Sequence, residues 1–281
     1  MNYRIKNKVG FTLVELSIVL VIIGLVIGGV MVGRDLIEAS KIRAQITQIS
    51  DIETQINTFR VKYNCLPGDC INATSAIGAT YNGNTINDGD GDGLIRSIYA
   101  YGAVQTAGDC IRPDITGEVS QLLLQLTAAG IGNYKANGAL NGANATIGTQ
   151  YGYTAYGNGT GFFVSCLKSI VSPTYIPTFL TSENVIIIGA GSASVGRIAY
   201  ALGTYGVKLS SGYGYYGAGL KLNPIGIPAD AARQIDNKID DGKPSNGVFG
   251  IISGETSCTD NVASYPAPGV FCLATAGKRI R

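Results

Sequence analysis

The chain has no histidine and no tryptophan, and only 14% of its residues are charged. Without histidine, neither a Ser-His-Asp nor a Cys-His arrangement can be built. A net charge of +2 with no basic stripe argues against a dedicated nucleic-acid binder. None of the six cysteines stands in C-x-x-C spacing. The pattern therefore gives no zinc ribbon and no thioredoxin-like redox pair. Paired carboxylates would suit a glycosidase, but no acid cluster falls within an evident aromatic stretch. These gaps argue against an enzyme and remove the need for a cofactor.

What the chain does contain begins at its N-terminus. Arg4, Lys6 and Lys8 precede Gly10, and an apolar run of more than twenty residues extends to Gly33 with one acid, Glu15. A membrane span takes roughly 20 apolar residues. Cations on its N-terminal side place that end in the cytoplasm, so the remainder is exported. A lone carboxylate in hydrocarbon is costly, which marks Glu15 as functional and in need of a partner. A secretory signal would have a shorter apolar core with its cleavage site after it.

From Lys8-Val9-Gly10 through Phe11-Thr12-Leu13-Val14-Glu15-Leu16, the chain resembles the type IV pilin family, including the pseudopilins of type II secretion. The resemblance implies cleavage after Gly10 by a prepilin peptidase and N-methylation of the new Phe11 amine. It also implies that Glu15 pairs with the Phe11 amine of a neighbouring subunit during assembly. Charge pairing in low dielectric fits that role. The segment Phe59-Arg60-Val61-Lys62-Tyr63-Asn64-Cys65-Leu66-Pro67-Gly68-Asp69 resembles a recurring stretch of pilin-like proteins, as does Ile235 to Pro244.

The boundaries follow. Residues 1–10 are a leader, and 11–33 form the transmembrane and assembly helix. Residues 34–64 are an amphipathic continuation, and 65–281 form the exported domain. Ile42, Ile46, Ile49, Ile52, Ile56, Phe59 and Tyr63 recur in steps of three and four, which is one helix face. Lys41, Gln45, Gln48, Asp51 and Gln55 fill the other face. A helix from Phe11 to Tyr63 would be roughly 80 Å long. Leu66-Pro67-Gly68 is expected to end it. Gly24, Gly28 and Gly29 either loosen the helix or allow close helix packing.

The expected fold class is α+β: the long N-terminal helix packed on an antiparallel sheet, loop-rich and disulfide-bonded. The sheet and its packing are partly implied by the resemblance. Strands are expected at Gly161 to Leu167, Val185 to Ile188 and Val248 to Ile252. A helix is expected over Glu118 to Ala129, with Leu122, Leu123 and Leu126 inward. Thirty-nine glycines and the Gly/Asn/Tyr stretches near Tyr151 and Tyr213 read as loops.

An even cysteine count in an exported chain suggests disulfides, although buried thiols are the alternative. A Cys258–Cys272 bridge would match the disulfide-bounded C-terminal region of many pilins. Cys65 with Cys70, and Cys110 with Cys166, complete that scheme.

Asp88, Asp90 and Asp92 alternate with glycines. They match the first, third and fifth positions of an EF-hand loop, with Gly93 at the turn. Tyr99 falls where the closing Glu should be, so this is no EF-hand. Calcium takes about six to eight oxygens, and a site here would need a further acid such as Asp69 or Glu118. The alternative is a solvated Asp/Gly turn. Asp236, Asp240 and Asp241 read as a helix end and turn. Val185 to Gly196 imitates a dinucleotide-binding start, but Ser194 replaces the third glycine and no acid follows at the required distance.

The function expected is a structural subunit of a pilus or pilus-like filament. It would be stored in the bacterial inner membrane and end in an extracellular pilus or periplasmic pseudopilus. Its implied partners are like subunits or other pilins, the prepilin peptidase, and the assembly platform with its ATPase. The alternatives are a minor pilin, a secretion pseudopilin, or a filament-borne adhesin.

Overall fold

The computed structural model describes residues 12–96, 117–138, 152–157, 160–167, 183–191, 227–240, 242, 249–252 and 271–280. The chain divides into two units, Met1–Lys41 and Ile42–Arg281.

One helix, α1 (Leu13–Tyr63), begins in the first unit and ends in the second. Its start is a reciprocal cap. The Thr12 backbone N–H donates to Glu15 Oε2 at 2.8 Å, and the Glu15 N–H donates to Thr12 Oγ1 at 3.3 Å. Two of the amides that every helix start leaves unpaired are thereby satisfied. The helix stops at Tyr63, three residues before Leu66. Asn64 takes a left-handed φ of 57° and returns its N–H to Arg60 O at 2.8 Å. An αL residue after the last turn satisfies a terminal carbonyl, so Asn64, ahead of Pro67, supplies the stop.

The second part of α1 buries Ile42, Ile49, Ile52, Ile56 and Phe59, while Ile46 and Tyr63 are half-buried. Gln45 departs from the expected polar face: it is fully buried. Its Oε1 accepts the N–H of Tyr156 at 3.0 Å, and its Nε2 donates to Gln48 at 3.1 Å. A turn backbone lying over the helix needs partners, and the amide supplies them at a core position.

After α1 come α2 (Ala73–Ala76) and a two-stranded hairpin, β1 (Thr80–Tyr81) and β2 (Asn84–Thr85). Asn82 and Gly83 both have positive φ (48° and 79°), as a type I′ hairpin turn requires. Helix α3 (Glu118–Ala128) is buried from Val119 through Leu126, including the expected Leu122, Leu123 and Leu126. The larger sheet is antiparallel throughout. Its order is β3 (Gly152–Tyr153), β4 (Thr160–Leu167), β5 (Glu183–Gly191), β8 (Phe271–Ile280), β6 (Ile227–Pro228), with β7 (Phe249–Ile252) also on β8. Helix α4 (Ala229–Ile239) follows β6 directly.

Phe162 and Phe163 point to opposite faces of β4, yet each is only 1% exposed. Both faces of that strand are therefore covered, which is why Phe162, Phe163 and Val164 follow one another without polar alternation. The fold is α+β, as expected. Strands β4, β5 and β7 fall on the three predicted segments. Strand β5 runs antiparallel to both neighbours and contains Gly189 and Gly191. This is incompatible with the parallel strand–helix–strand unit of a dinucleotide site.

Candidate functional site

Two places carry the sequence's functional signals. The first is the start of α1. Every large apolar side chain from Leu13 to Ile37 is 48–85% exposed. A Cβ added at Gly24, Gly28, Gly29 or Gly33 would meet nothing within 4 Å. Among the described residues, α1 is the helix long and apolar enough to cross a membrane. Glu15 sits at its start with Oε2 accepting from both the N–H and the hydroxyl of Thr12, each at 2.8 Å. The Thr-x-x-Glu spacing of a capping box was present in the sequence and accounts for these bonds. Gly10 and Phe11 lie outside the described residues.

The second place is the acidic loop. Asp88, expected beside Asp90 and Asp92, faces elsewhere. Its two oxygens accept from the N–H (2.8 Å) and hydroxyl (3.0 Å) of Thr74, at the start of α2. Asp69 takes its place: carboxylate oxygens of Asp69, Asp90 and Asp92 lie within 4.8 Å of one another. Asp69 is almost fully buried and accepts the N–H groups of Gly91 and Gly93, both at 2.8 Å. Glu118, the other acid considered from sequence, accepts the N–H of Asp90 at 3.1 Å and of Arg96 at 2.7 Å.

Arg96 had no place in the sequence reading. Its guanidinium pairs with Asp90 at 3.1 Å and with Asp92 four residues back. Arg96 is 7% exposed, and its Nε has no acceptor among the described residues. Burial pushes the Asp69 carboxyl up to about 6, against the lowering effect of the Gly93 and Gly91 amides. It pushes Glu118 up to about 7, with the Arg96 and Asp90 amides pulling the other way. Desolvation penalises the charged form, and neighbouring carboxylates add to it.

Close backbone packing explains why Asp69 reaches this loop. Gly68 has φ 91°, and a Cβ there would fall 2.4 Å from the Glu118 carbonyl oxygen. A Cβ on Gly89 would fall 2.4 Å from Asp69 Cα. Cys65 and Cys70 form a disulfide around this bend. Cys166 is also disulfide-bonded. Cys110, Cys258 and the side chain of Cys272 lie outside the described residues, so the remaining expected pairings do too. Asp236 is buried on α4, where the Asp240 N–H donates to its carbonyl; Asp241 lies outside the described residues.

No curated protein and no solved structure matches the chain. The N-terminal segment does match a family model. Residues 5–31 carry the prokaryotic N-terminal methylation motif, the prepilin-type signature of type IV pilins and pseudopilins.

Proposed function

We propose that this chain is a structural subunit of a type IV pilus or pilus-like filament, held in the inner membrane as a prepilin and assembled through α1. The methylation motif of residues 5–31, continuous with an exposed apolar helix that carries a lone acid, supports this reading. Such a helix needs lipid or other apolar helices around it. Cleavage after Gly10 would leave Phe11 as the methylated N-terminus, with Glu15 four residues on. Repeated head-to-tail contacts between like helices would give an open filament. The processing peptidase, other pilin subunits and an ATP-driven membrane platform are the partners this reading implies.

Mass spectrometry of sheared surface fibres and of membranes tests it. A methylated Phe11 start in abundant fibres supports a main filament subunit. The same start confined to membranes or trace fibre material supports a minor pilin or pseudopilin. An intact Met1 start in every fraction sinks the proposal. Glu15→Ala should remove the subunit from fibres while leaving it in membranes; normal incorporation would end the charge-pair argument.

A further inference from the structure

We propose that Arg96 is the built-in counter-ion of the acidic loop, filling the place that the alternating Asp-Gly repeat offers to a hard divalent cation, and that the loop closes without metal. The guanidinium pairs with Asp90 and Asp92, two of the three carboxylates whose oxygens converge. The third, Asp69, is occupied by the amides of Gly91 and Gly93. A planar guanidinium presents its donors in a fixed fork and serves two carboxylates at once. It cannot gather oxygens from all sides as calcium does. That difference explains why Asp69 is served by backbone amides.

The chain on either side is fixed so that Arg96 turns back onto the loop. Ile95 is fully buried. Its N–H donates to Asn184 Oδ1 at 2.7 Å, and its carbonyl accepts the Cys166 N–H at 2.8 Å. Asn184 also donates to the Gly93 carbonyl at 2.8 Å, and Glu118 holds the Arg96 N–H. Strands β4 and β5 and helix α3 thus set the backbone from which the guanidinium reaches the acids. A counter-ion supplied by the chain is not lost to dilution or chelation. The exported domain would accordingly keep this loop whatever the calcium level outside the cell.

The test uses the full chain in detergent, with calcium chloride or a chelator, read by thermal unfolding and by titration calorimetry with calcium. Wild type should show the same Tm in both solutions and no binding heat. Arg96→Gln should lower Tm by roughly 2–5 °C in chelator, a modest loss because Arg96 is buried but the Asp90 and Asp92 side chains keep 55% and 27% exposure and water can solvate them. Calcium should recover part of that loss and give binding heat. Adding Asp92→Asn to Arg96→Gln should raise Tm in chelator, because it removes uncompensated charge. Should Arg96→Gln fail to fold, Arg96→Lys provides the second variant. A folded, calcium-insensitive Lys form supports the proposal; a calcium-dependent one opposes it. A wild-type Tm that rises with calcium and falls with chelator overturns it, as does an Arg96→Gln chain with wild-type Tm in chelator.

Discussion

The two parts of α1 are one continuous helix built for different surroundings. From Leu13 to Ile37 its large apolar side chains are exposed on every side, and the polar bonds it makes there are local: Thr12 with Glu15, and Ser17 Oγ to Val14 O. From Ile42 to Phe59 the large apolar side chains fall on one face, where Ile42, Ile49, Ile52, Ile56 and Phe59 are buried and Ile46 is half-buried, while Val61 beyond them faces outward. Gln45, Gln48 and Gln55 bond to groups far away in sequence, namely Tyr156, the backbone of Tyr153 and Ala155, and Tyr134. An apolar stripe about 100° wide marks a helix against a protein core, and one apolar all round marks a helix meant for an apolar medium. Residue pattern alone therefore sets where the solvent of this helix changes.

The largest effect should come from the covered face. Phe59 is fully buried, and its ring centroid lies 4.6 Å from that of Tyr63 with the planes tilted by 45°. Phe59→Ala should cost about 3–5 kcal/mol of domain stability through lost burial and the cavity left behind. Ile23→Ala, in the exposed part, should leave the unfolding of the domain unchanged, since no packed neighbour is lost. Denaturant unfolding of both variants in detergent checks this. Equal losses would mean that the two parts are not energetically distinct.

Next come the buried amides that replace apolar contacts in the covered region. Gln125 on α3 accepts the Gly68 N–H at 2.7 Å and donates to the Asn87 carbonyl at 2.9 Å. Gln125→Leu keeps the volume but strands both backbone groups. Each stranded group costs about 1–3 kcal/mol, so a loss of about 2–6 kcal/mol is expected. A Gln125→Leu chain at wild-type stability would show that water or a rearranged backbone takes over both bonds.

A smaller effect should follow pH. Asp69 and Glu118 are pushed to about 6 and about 7 in the folded chain, from ordinary values of 3.8 and 4.5. The folded state therefore holds more protons than the unfolded state between those limits. Stability from these groups is fully present below about pH 4, falls as pH rises, and is lost above about pH 7. Tm measured from pH 4 to pH 8 should decline through that window by a few degrees. Glu118→Gln, which mimics the protonated form, should flatten the upper part of the decline. A Tm that rises across the window would reverse the assignment of burial as the dominant cause.

Much of this was legible from residues near one another in the chain. The spacing from Ile42 to Phe59 gave the covered face, and the leucines of α3 and the apolar runs of β4, β5 and β7 gave their elements. What escaped depends on contacts across the chain. Strand β8 contains alanines, a glycine, a lysine and an arginine, a weak strand composition. It becomes a strand because β5 and β7 pair with its two edges. Gln45 looks like a solvent residue until the backbone of Tyr156 is placed over it. The acidic loop was visible as Asp88, Asp90 and Asp92, but local sequence cannot show that Thr74 takes Asp88 away. Asp69 stood among the further acids such a loop would need, but nothing local shows that it joins Asp90 and Asp92 in place of Asp88, or that Arg96 pairs with them.

The smallest expected effect concerns the first turn of α1. Thr12→Ala removes the hydroxyl that accepts from the Glu15 N–H and donates to its carboxylate. Losing such a cap costs about 1 kcal/mol. The loss should appear as faster hydrogen exchange at the Glu15 and Leu16 amides in detergent, with no change at Ile52 or Ile56. Thr12→Ser should keep wild-type exchange, because only the hydroxyl is needed. If Thr12→Ala leaves exchange unchanged, the Glu15 carboxylate is held by something other than its own turn. If exchange rises as expected, the acid in the apolar part has its hydrogen bonds met within four residues, while the glutamines of the covered part find theirs across the fold. The exposed part can then stay ordered in an apolar medium without a distant polar partner.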